Sequence, residues 1–323
     1  MCTAVSYLSG DHYFGRNLDL EYSYQESVTI TPRHYPFRFR KVPDVNAHFA
    51  MIGMATVADG YPLYYDATNE HGLSMAGLNF PGNAVYFPET TGKDNITPFE
   101  FIPWILGQCK TVSHVRSMLT KLNLINIPFS NEYPLTPLHY MISDREESIV
   151  VEPTAVGIDV YDNPVGVLTN NPPFSFHIYN LSNYLNLTRE EPVNRFTNEV
   201  DLAPYSRGMG AIGLPGDLSS SSRFIRAAFT KLNSISDGTQ SGDISQFFHI
   251  LGSVAQQKGC VKLNGVFEKT VYSSCCNTDK GIYYYTTYEN SQITGINLNH
   301  EDLDADTLRC FPLITQQQTR YEN

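Results

Sequence analysis

Six short β-rich runs crowd into the first 80 residues, and their spacing constrains the fold more than any other feature of the chain. Each run is rich in apolar, aromatic and β-branched residues, which is typical of buried or half-buried strands. The predicted strands are residues 3–8, 12–18, 27–31, 48–57, 62–66 and 73–78. The segment Ser9-Gly10-Asp11 separates the first two runs and predicts a hairpin turn between them.

Helical patterns alternate with further strands in the rest of the chain. We predict helices at residues 98–109, 112–122, 176–187, 221–233 and 244–257, with Thr97 as N-cap of the first. Further strands are predicted at residues 138–143, 148–161, 165–169, 271–276, 281–288 and 291–298, and residues 207–217 form a glycine-rich loop. This order indicates an α+β fold in which helices cover two antiparallel sheets. No repeat or linker marks a boundary, so we expect one domain over residues 1–323.

Composition excludes several classes of function. A net charge of −11 without a basic stripe argues against a nucleic-acid partner, because such a surface cannot displace counterions from phosphates. We find no apolar run of signal-peptide or membrane-span length, and therefore expect no membrane span and a cytoplasmic location. The six cysteines include no CxxC pair, so we expect no zinc site, and their even number is not evidence for disulfides. We also expect no cofactor. The adjacent Cys275 and Cys276 are predicted to point to opposite faces of one strand.

Cys2 directly follows the initiator methionine, and this position has chemical consequences. Methionine aminopeptidases generally remove Met before a small residue, which would leave a thiol and a free α-amine on the same residue. An α-amine has a reference pKa of about 7.7–8.0 and a thiol one of about 8.5. The amine can therefore act as general base for its own thiol near neutral pH, and no histidine is required.

The predicted hairpin brings two charged side chains towards Cys2. With Gly10 at the turn, paired residues have numbers that add up to about 20, which places Cys2 opposite Leu18 and diagonal to Arg16. Arg16 shares a face with Cys2, and Asp19 lies near the amino end of the chain. A guanidinium beside a thiol favours the thiolate, and a carboxylate orients an amine. An ordinary hairpin salt bridge between Arg16 and Asp19 would explain the same pattern without catalysis.

Several sequence blocks together resemble the choloylglycine hydrolase family, which contains conjugated bile salt hydrolases and penicillin V acylases. The resemblance covers essentially the whole chain and is strongest to the bile salt hydrolase branch of gut lactobacilli and enterococci. The blocks are Met1-Cys2-Thr3-Ala4, Phe14-Gly15-Arg16-Asn17-Leu18-Asp19, Asn69-Glu70-His71-Gly72-Leu73, Ala76-Gly77-Leu78-Asn79-Phe80-Pro81, Val167-Leu168-Thr169-Asn170-Asn171-Pro172, Gly213-Leu214-Pro215-Gly216-Asp217, Ser222-Arg223-Phe224 and Gly281-Ile282-Tyr283-Tyr284-Tyr285.

The resemblance implies a fold, an assembly and a set of roles. The family fold is a four-layer αββα sandwich of the N-terminal nucleophile hydrolases, and many members are homotetramers. Cys2 would be the nucleophile after loss of Met1, with Arg16 beside the thiol and Asp19 holding the amine. Asn79 and Asn170 would form the oxyanion hole, and Arg223 would add a further positive charge beside the nucleophile.

The implied substrates are glycine and taurine conjugates of bile acids, whose steroid needs an apolar pocket. We predict that this pocket is lined by Leu18, Tyr22, Tyr24, Tyr61 and Phe129. Three alternatives stay open. They are a penicillin V acylase, a non-catalytic bile-acid-binding protein, and a thiol hydrolase that pairs an internal cysteine with His71 or His249. Asn79 argues against the first, since the acylase branch usually carries tyrosine there.

The glycine-rich loop suggests a preference between the two amines. Ser206 and Arg207 lie in the stretch that leads to the helix with Arg223, and we predict that they lie near the mouth of the site. Taurine is one methylene longer than glycine and ends in a sulfonate. A guanidinium and a hydroxyl at this place would meet that anion with charge-assisted hydrogen bonds, which predicts a preference for taurine conjugates. A solvated Arg207 without a role is the alternative.

Overall fold

The computed structural model describes residues 1–323 and contains two large antiparallel sheets. The seven-stranded sheet has the order β12-β1-β2-β14-β15-β16, with β13 paired to β14. Its strands are β1 (Cys2–Ser9), β2 (Asp11–Leu20), β12 (Val167–Leu168), β13 (Val261–Leu263), β14 (Val266–Asn277), β15 (Ile282–Thr287) and β16 (Thr294–Asn297). None of the helices is both long and apolar enough to span a membrane.

The second sheet has eight strands in the order β11-β10-β9-β6-β5-β4-β3-β17. These are β3 (Ser27–Thr31), β4 (Met51–Ala58), β5 (Tyr61–Asn69), β6 (Ser74–Asn79), β9 (Leu138–Ser143), β10 (Ser148–Thr154), β11 (Gly157–Asp162) and β17 (Arg309–Pro312). A separate parallel pair consists of β7 (Asp94–Ile96) and β8 (Leu122–Leu124).

Helices cover the outer faces of both large sheets. The five α-helices are α1 (Phe101–Leu106), α2 (Val112–Leu119), α3 (Phe174–Asn180), α4 (Ser220–Asn233) and α5 (Gln240–Gly252). Helices α4 and α5 pack on the seven-stranded sheet, and α1 packs on the eight-stranded sheet. Short 3₁₀ turns occur at Leu181–Tyr184, Met209–Ala211 and Leu298–His300. The four-layer αββα sandwich implied by the resemblance is thereby confirmed.

Two apolar cores hold these layers together. One fills the space between the sheets and continues to α4 and α5, with residues such as Phe14, Ile52 and Phe247. The other lies between the eight-stranded sheet and helices α1 and α2, with residues such as Met75 and Ile105. Both cores are possible because alternate strand residues point to opposite faces, so the strands of a doubly covered sheet are apolar on both sides.

The N-terminal hairpin forms as predicted and sets the position of the site. Gly10 has a φ of 66°, a left-handed conformation that glycine adopts without steric cost. The register pairs Cys2 with Leu18 and Ala4 with Arg16, so Arg16 is diagonal to Cys2. Strand β2 continues the sheet by pairing with β14. Cys2 therefore lies at the end of a strand that pairs with β2 on one side and with the edge strand β12 on the other.

Three predicted boundaries are wrong for local reasons. Helix α1 begins after Glu100, because the Glu100 carboxylate accepts the Thr97 backbone N–H and the Thr97 hydroxyl caps nothing. The strand predicted at residues 148–161 is a hairpin of β10 and β11 that turns before Gly157, whose φ is 129°. Helix α5 lies several residues earlier than predicted, because Thr239 provides its N-cap by accepting the Gly242 N–H.

Candidate active site

Cys2 lies in a cavity of about 270 Å³ that opens between the strand ends and neighbouring loops. Of the 22 residues that line it, 13 are hydrophobic, and the polar ones include Arg16 and Asn79. Such a mixture of apolar surface with a few polar groups is typical of small-molecule sites. The Cys2 side chain is 2% exposed, so the cavity is its route to solvent.

Hydrogen bonds connect Cys2 to three of the other residues singled out from the sequence. The Cys2 backbone nitrogen donates to Asn170 Oδ1 at 2.8 Å, and Asn170 Nδ2 donates to the Asn79 carbonyl at 2.7 Å. Arg223 Nη2 also donates to Asn170 Oδ1, at 2.8 Å, and Arg223 Nη1 donates to the Cys2 carbonyl at 2.5 Å. The structure therefore brings Cys2, Asn79, Asn170 and Arg223 into one network.

Asp19 lies beside the amino end of the chain. Its Oδ1 accepts from the Thr270 hydroxyl at 2.6 Å, whereas Oδ2 is buried without a hydrogen-bond partner and is 3.9 Å from Arg223 Nη1. Burial raises the pKa of Asp19, and the positive charge of Arg223 opposes that shift. In this structure Met1 precedes Cys2, and the Met1 amino group contacts the Asp19 carbonyl and the Glu268 carboxylate. A free acceptor on Asp19 is thus available for the amine that removal of Met1 would expose.

Arg16 is fully buried, and its guanidinium is held by main-chain carbonyls. Its Nη1 donates to Tyr65 O at 2.9 Å and to Gly77 O at 2.5 Å, while Nη2 has no partner. Burial disfavours the charge of Arg16, but nearby groups, with Cys2 first among them, hold its pKa above the ordinary value. Because carbonyls satisfy hydrogen bonds without cancelling the charge, Arg16 brings a positive charge to the cavity that contains Cys2.

Asp66 on β5 was not singled out from the sequence, although it supports this end of the molecule. Its carboxylate accepts hydrogen bonds from Tyr272 and Tyr283, both at 2.7 Å, and from Ser274 at 3.3 Å. Burial raises the pKa of Asp66, and Arg16 is the largest influence in the opposite direction. An aspartate inside a β-rich run was the available signal, since a buried charge requires partners.

The predicted pocket residues divide into three groups. Leu18, Tyr24 and Phe129 line the cavity that contains Cys2. Tyr22 is 56% exposed and reaches the cavity only through Tyr24, whose hydroxyl is 3.2 Å from its own. Tyr61 does not line the cavity, because it is buried in the second core, with its ring 5.9 Å from that of Phe129.

Ser206 and Arg207 also do not line the cavity. Both are exposed, in the segment before the Met209–Ala211 turn, and the only hydrogen bond of Ser206 runs from its N–H to the Met209 sulfur. The segment that carries them is exposed and contributes no lining residue to the cavity, and their role in selectivity stays a prediction. Other lining residues were missed: Leu20, Leu63, Tyr65, Phe99, Ile102, Tyr133 and Leu135.

Comparisons with known proteins agree with this arrangement. Residues 2–311 match the family of linear amide C–N hydrolases known as the choloylglycine hydrolase family. The bile salt hydrolase/transferase of Lactiplantibacillus plantarum is 58% identical over 319 residues, which is 98% of each protein. The crystal structure of the mutant C2A conjugated bile acid hydrolase from Clostridium perfringens superimposes with a TM-score of 0.94 at 38% identity, covering 100% of both chains. Penicillin V acylase from Agrobacterium tumefaciens shares the fold, with a TM-score of 0.72 at 17% identity over 96% of this chain and 90% of that one.

Proposed function

The chain belongs to the choloylglycine hydrolase family of linear amide C–N hydrolases, and we propose that it is a bile salt hydrolase that cleaves glycine and taurine conjugates of bile acids. The observation that carries this proposal is the position of Cys2 in a largely apolar cavity, bonded to Asn170 and Arg223. The apolar residues of the cavity would contact the steroid, which would place the amide carbon of the substrate beside the Cys2 thiol. The names of the most similar relatives support the same substrate class.

The proposed reaction passes through a thioester on Cys2. After loss of Met1, the α-amine of Cys2 takes the thiol proton, and the sulfur attacks the amide carbon. The C–N bond then breaks, and the departing amine takes up that proton. Water, deprotonated by the α-amine, attacks the thioester. The C–S bond breaks, the bile acid leaves, and the thiol regains its proton.

The surrounding residues each have a role in this scheme. Asn79 and Asn170 stabilise the oxyanion of the two tetrahedral intermediates by donating amide N–H groups. Arg16 and Arg223 supply positive charge beside the sulfur, and Asp19 orients the α-amine through its free Oδ2. A neutral amide suits the oxyanion hole, because its N–H groups stabilise the negative charge on oxygen and do not protonate the thiolate.

A substrate panel tests the proposal directly. Purified protein is incubated with glycocholate, taurocholate, their deoxy analogues and penicillin V, and the released amine is quantified. We expect rapid release from bile conjugates, slow release from penicillin V, and an acyl adduct of one bile acid on the N-terminal peptide after acid quench. Cleavage of penicillin V alone would make the protein an acylase. Binding of bile conjugates without cleavage would make it a binding protein.

We also propose a homotetramer. Six large apolar side chains are exposed in the segment between α3 and the 3₁₀ turn at Met209–Ala211, namely Leu185, Val193, Phe196, Val200, Leu202 and Tyr205. Leu185 and Phe196 are each 87% exposed, which is unfavourable for a surface that stays in water. Sedimentation velocity should give a particle of four chains, and Phe196→Ser should shift it towards smaller species. A monomer at all concentrations would contradict the proposal.

A further inference from the structure

The main chain that carries Asn170 is held by two buried histidines. Strand β12 ends at Leu168, so Thr169 and Asn170 lie beyond its ladder hydrogen bonds. His139 Nε2 is 2.9 Å from the Thr169 carbonyl, and His177 Nε2 is 2.8 Å from the Asn170 carbonyl. Both rings are completely buried, and neither lines the cavity that contains Cys2. These histidines therefore act on the site through the backbone and not through the substrate.

His139 also reaches the other proposed oxyanion residue. Its ring stacks on Phe80, with centroids 4.3 Å apart and planes within 7°, and Phe80 directly follows Asn79. The residue before His139, Leu138, is the strand partner of Asn79 in the β6–β9 pair. One ring thus contacts the chain segments of both asparagines.

Glu152 fixes the orientation of the His139 ring. His139 Nδ1 is 3.0 Å from Glu152 Oε1, and the same oxygen accepts the Phe174 N–H at 2.9 Å. The Thr169 carbonyl carries no proton, so His139 Nε2 must be the donor to it. Nδ1 faces Glu152 Oε1 on the opposite side of the ring. Because Phe174 begins α3, which also carries His177, Glu152 links the supports of the two histidines.

His177, on α3, holds the carbonyl of Asn170. Burial lowers the pKa of His177 to about 4, so the ring is neutral at neutral pH and its single proton lies on Nε2, facing the Asn170 carbonyl. The ring stacks on Phe224 at 4.7 Å and 19°. Phe224 follows Arg223, which donates to Asn170 Oδ1. His177 thus holds the carbonyl of Asn170, and Arg223 holds its side chain.

We propose that His139 and His177 are positioning residues that hold the Thr169–Asn170 backbone, so that the amides of Asn79 and Asn170 stay aimed at the developing oxyanion. The inference rests on the proposed function, because it takes these two asparagines as the oxyanion hole. Its physical basis is the steep dependence of rate on geometry, since a displacement of about 1 Å can cost roughly a hundredfold in rate. A shift of the Thr169 or Asn170 carbonyl would also move the Asn170 side-chain amide, because both belong to the same short stretch of chain.

Two matched substitutions at His139 separate positioning from packing. His139→Gln keeps a donor close to the place of Nε2 and retains the bond to Thr169. His139→Asn keeps a donor close to the place of Nδ1 and retains only the bond to Glu152. We expect kcat to fall roughly tenfold further in His139→Asn than in His139→Gln, with similar KM in both. The alkylation rate of Cys2 by iodoacetamide should be the same in both, because alkylation forms no oxyanion.

His177 allows the same comparison with a different pair. His177→Gln retains a donor to the Asn170 carbonyl, whereas His177→Phe retains the stacking on Phe224 and loses the donor. We expect His177→Phe to lose the greater part of kcat, and His177→Gln to keep most of it. Equal losses in the two members of either pair, or losses that follow the melting temperature, would overturn the proposal and leave the histidines a purely structural role.

Failure of the proposed function has a separate signature. The wild-type protein is assayed first on the bile-conjugate panel, and absence of turnover there rejects the bile salt hydrolase proposal by itself. Crystal structures of His139→Asn and His139→Gln then test positioning without any substrate. Displacement of the Asn170 amide in the first variant but not in the second supports the inference, and an unmoved Asn170 in both contradicts it.

Discussion

The two ends of the β1–β2 hairpin both lie near arginines, but these arginines have different partners and different exposure. At the turn end, Arg145 pairs with Asp279 and Arg116 pairs with Glu147 and Asp162, so carboxylates cancel their charges. At the Cys2 end, Arg16 donates to main-chain carbonyls and makes no hydrogen bond to a carboxylate. Carboxylates thus accept hydrogen bonds from the arginines at the turn end, whereas the nearby Asp66 carboxylate acts on Arg16 without such a bond.

The cavities at the two ends of the hairpin differ in the polarity of the residues that line them. The turn end has an open cavity of about 620 Å³, in which only one of the 14 lining residues is hydrophobic. The Cys2 cavity has an apolar majority. Water screens the pairs at the turn end, where each contributes little, about 0–1 kcal/mol. A buried guanidinium at the Cys2 end costs desolvation, and the nearby charge of Asp66 opposes that cost.

The largest expected effect comes from the nucleophile. Cys2→Ser should lower kcat at least about a thousandfold with little change in melting temperature, because a hydroxyl is a much weaker nucleophile than a thiolate. Cys260→Ser, at an exposed free cysteine, is the matched control and should retain full activity. A protein that keeps Met1 behind an N-terminal tag should also be inactive, since its α-amine is in an amide. Near-normal turnover by Cys2→Ser would defeat the proposed mechanism.

The second effect concerns the asparagines. Asn79→Ala and Asn170→Ala should each lower kcat by about a hundredfold to a thousandfold, and raise KM much less, since the donors act mainly in the transition state. Asn163→Ala sharpens the comparison, because Asn163 is a buried asparagine at the turn end that donates to the Val167 carbonyl at 3.1 Å. It should lower stability and leave kcat unchanged. Changes in KM alone at positions 79 and 170 would make these residues binding contacts.

Substitutions of Arg16 and Arg145 compare how much an arginine at each end of the hairpin contributes to the free energy of unfolding. Arg16→Leu should lower the free energy of unfolding by about 3–5 kcal/mol, because it leaves the buried Asp66 without its opposing charge. Arg145→Leu should lower it by less than about 1 kcal/mol, since its pair with Asp279 is partly exposed. Urea unfolding gives both values. Equal costs would show that the two ends do not differ in the way their arginines are paired.

Two histidines predict the same pH dependence at both ends. Burial lowers the pKa of His12, at the turn end, and of His177, at the Cys2 end, to about 4 from 6.5. The unfolded chain therefore binds more protons between these values, so each histidine contributes a loss of about 1.4 kcal/mol per pH unit as pH falls from 6.5 to 4. In His12→Gln and His177→Gln, urea unfolding at pH 4.5 and 7.5 should show a smaller difference than in wild type. An unchanged pH dependence would mean that the rings are not buried neutral.

The smallest effect concerns the leaving amine. We expect a preference for taurine conjugates, and Arg207→Gly should shift the ratio of kcat/KM values towards glycine conjugates by a few-fold. The effect should be small, because Arg207 is exposed and does not line the cavity. Arg189→Gly, at another exposed arginine, is the control. An unchanged ratio would remove Arg207 from selectivity and leave the amidase assignment intact.

The sequence by itself determined the hairpin and the local composition of the site. The pairing of Cys2 with Leu18 follows from a turn at Gly10 and the two-residue period of strands, both of which are local. The same local rules place Arg16 and Asp19 beside Cys2. Asn79, Asn170 and Arg223 were predicted through the family resemblance, because no local rule relates positions so far apart in the chain.

Only the tertiary structure decided which distant groups support that site. Asp66 meets Tyr272 and Tyr283 across more than 200 residues, and His139 meets Thr169 through the packing of two sheets. Such partners depend on how the layers dock. The same reason explains why Tyr61 on β5 faces the second core, since strand period fixes the face of a residue but not what covers it. Arg207 lies in a loop, where no strand period sets its direction.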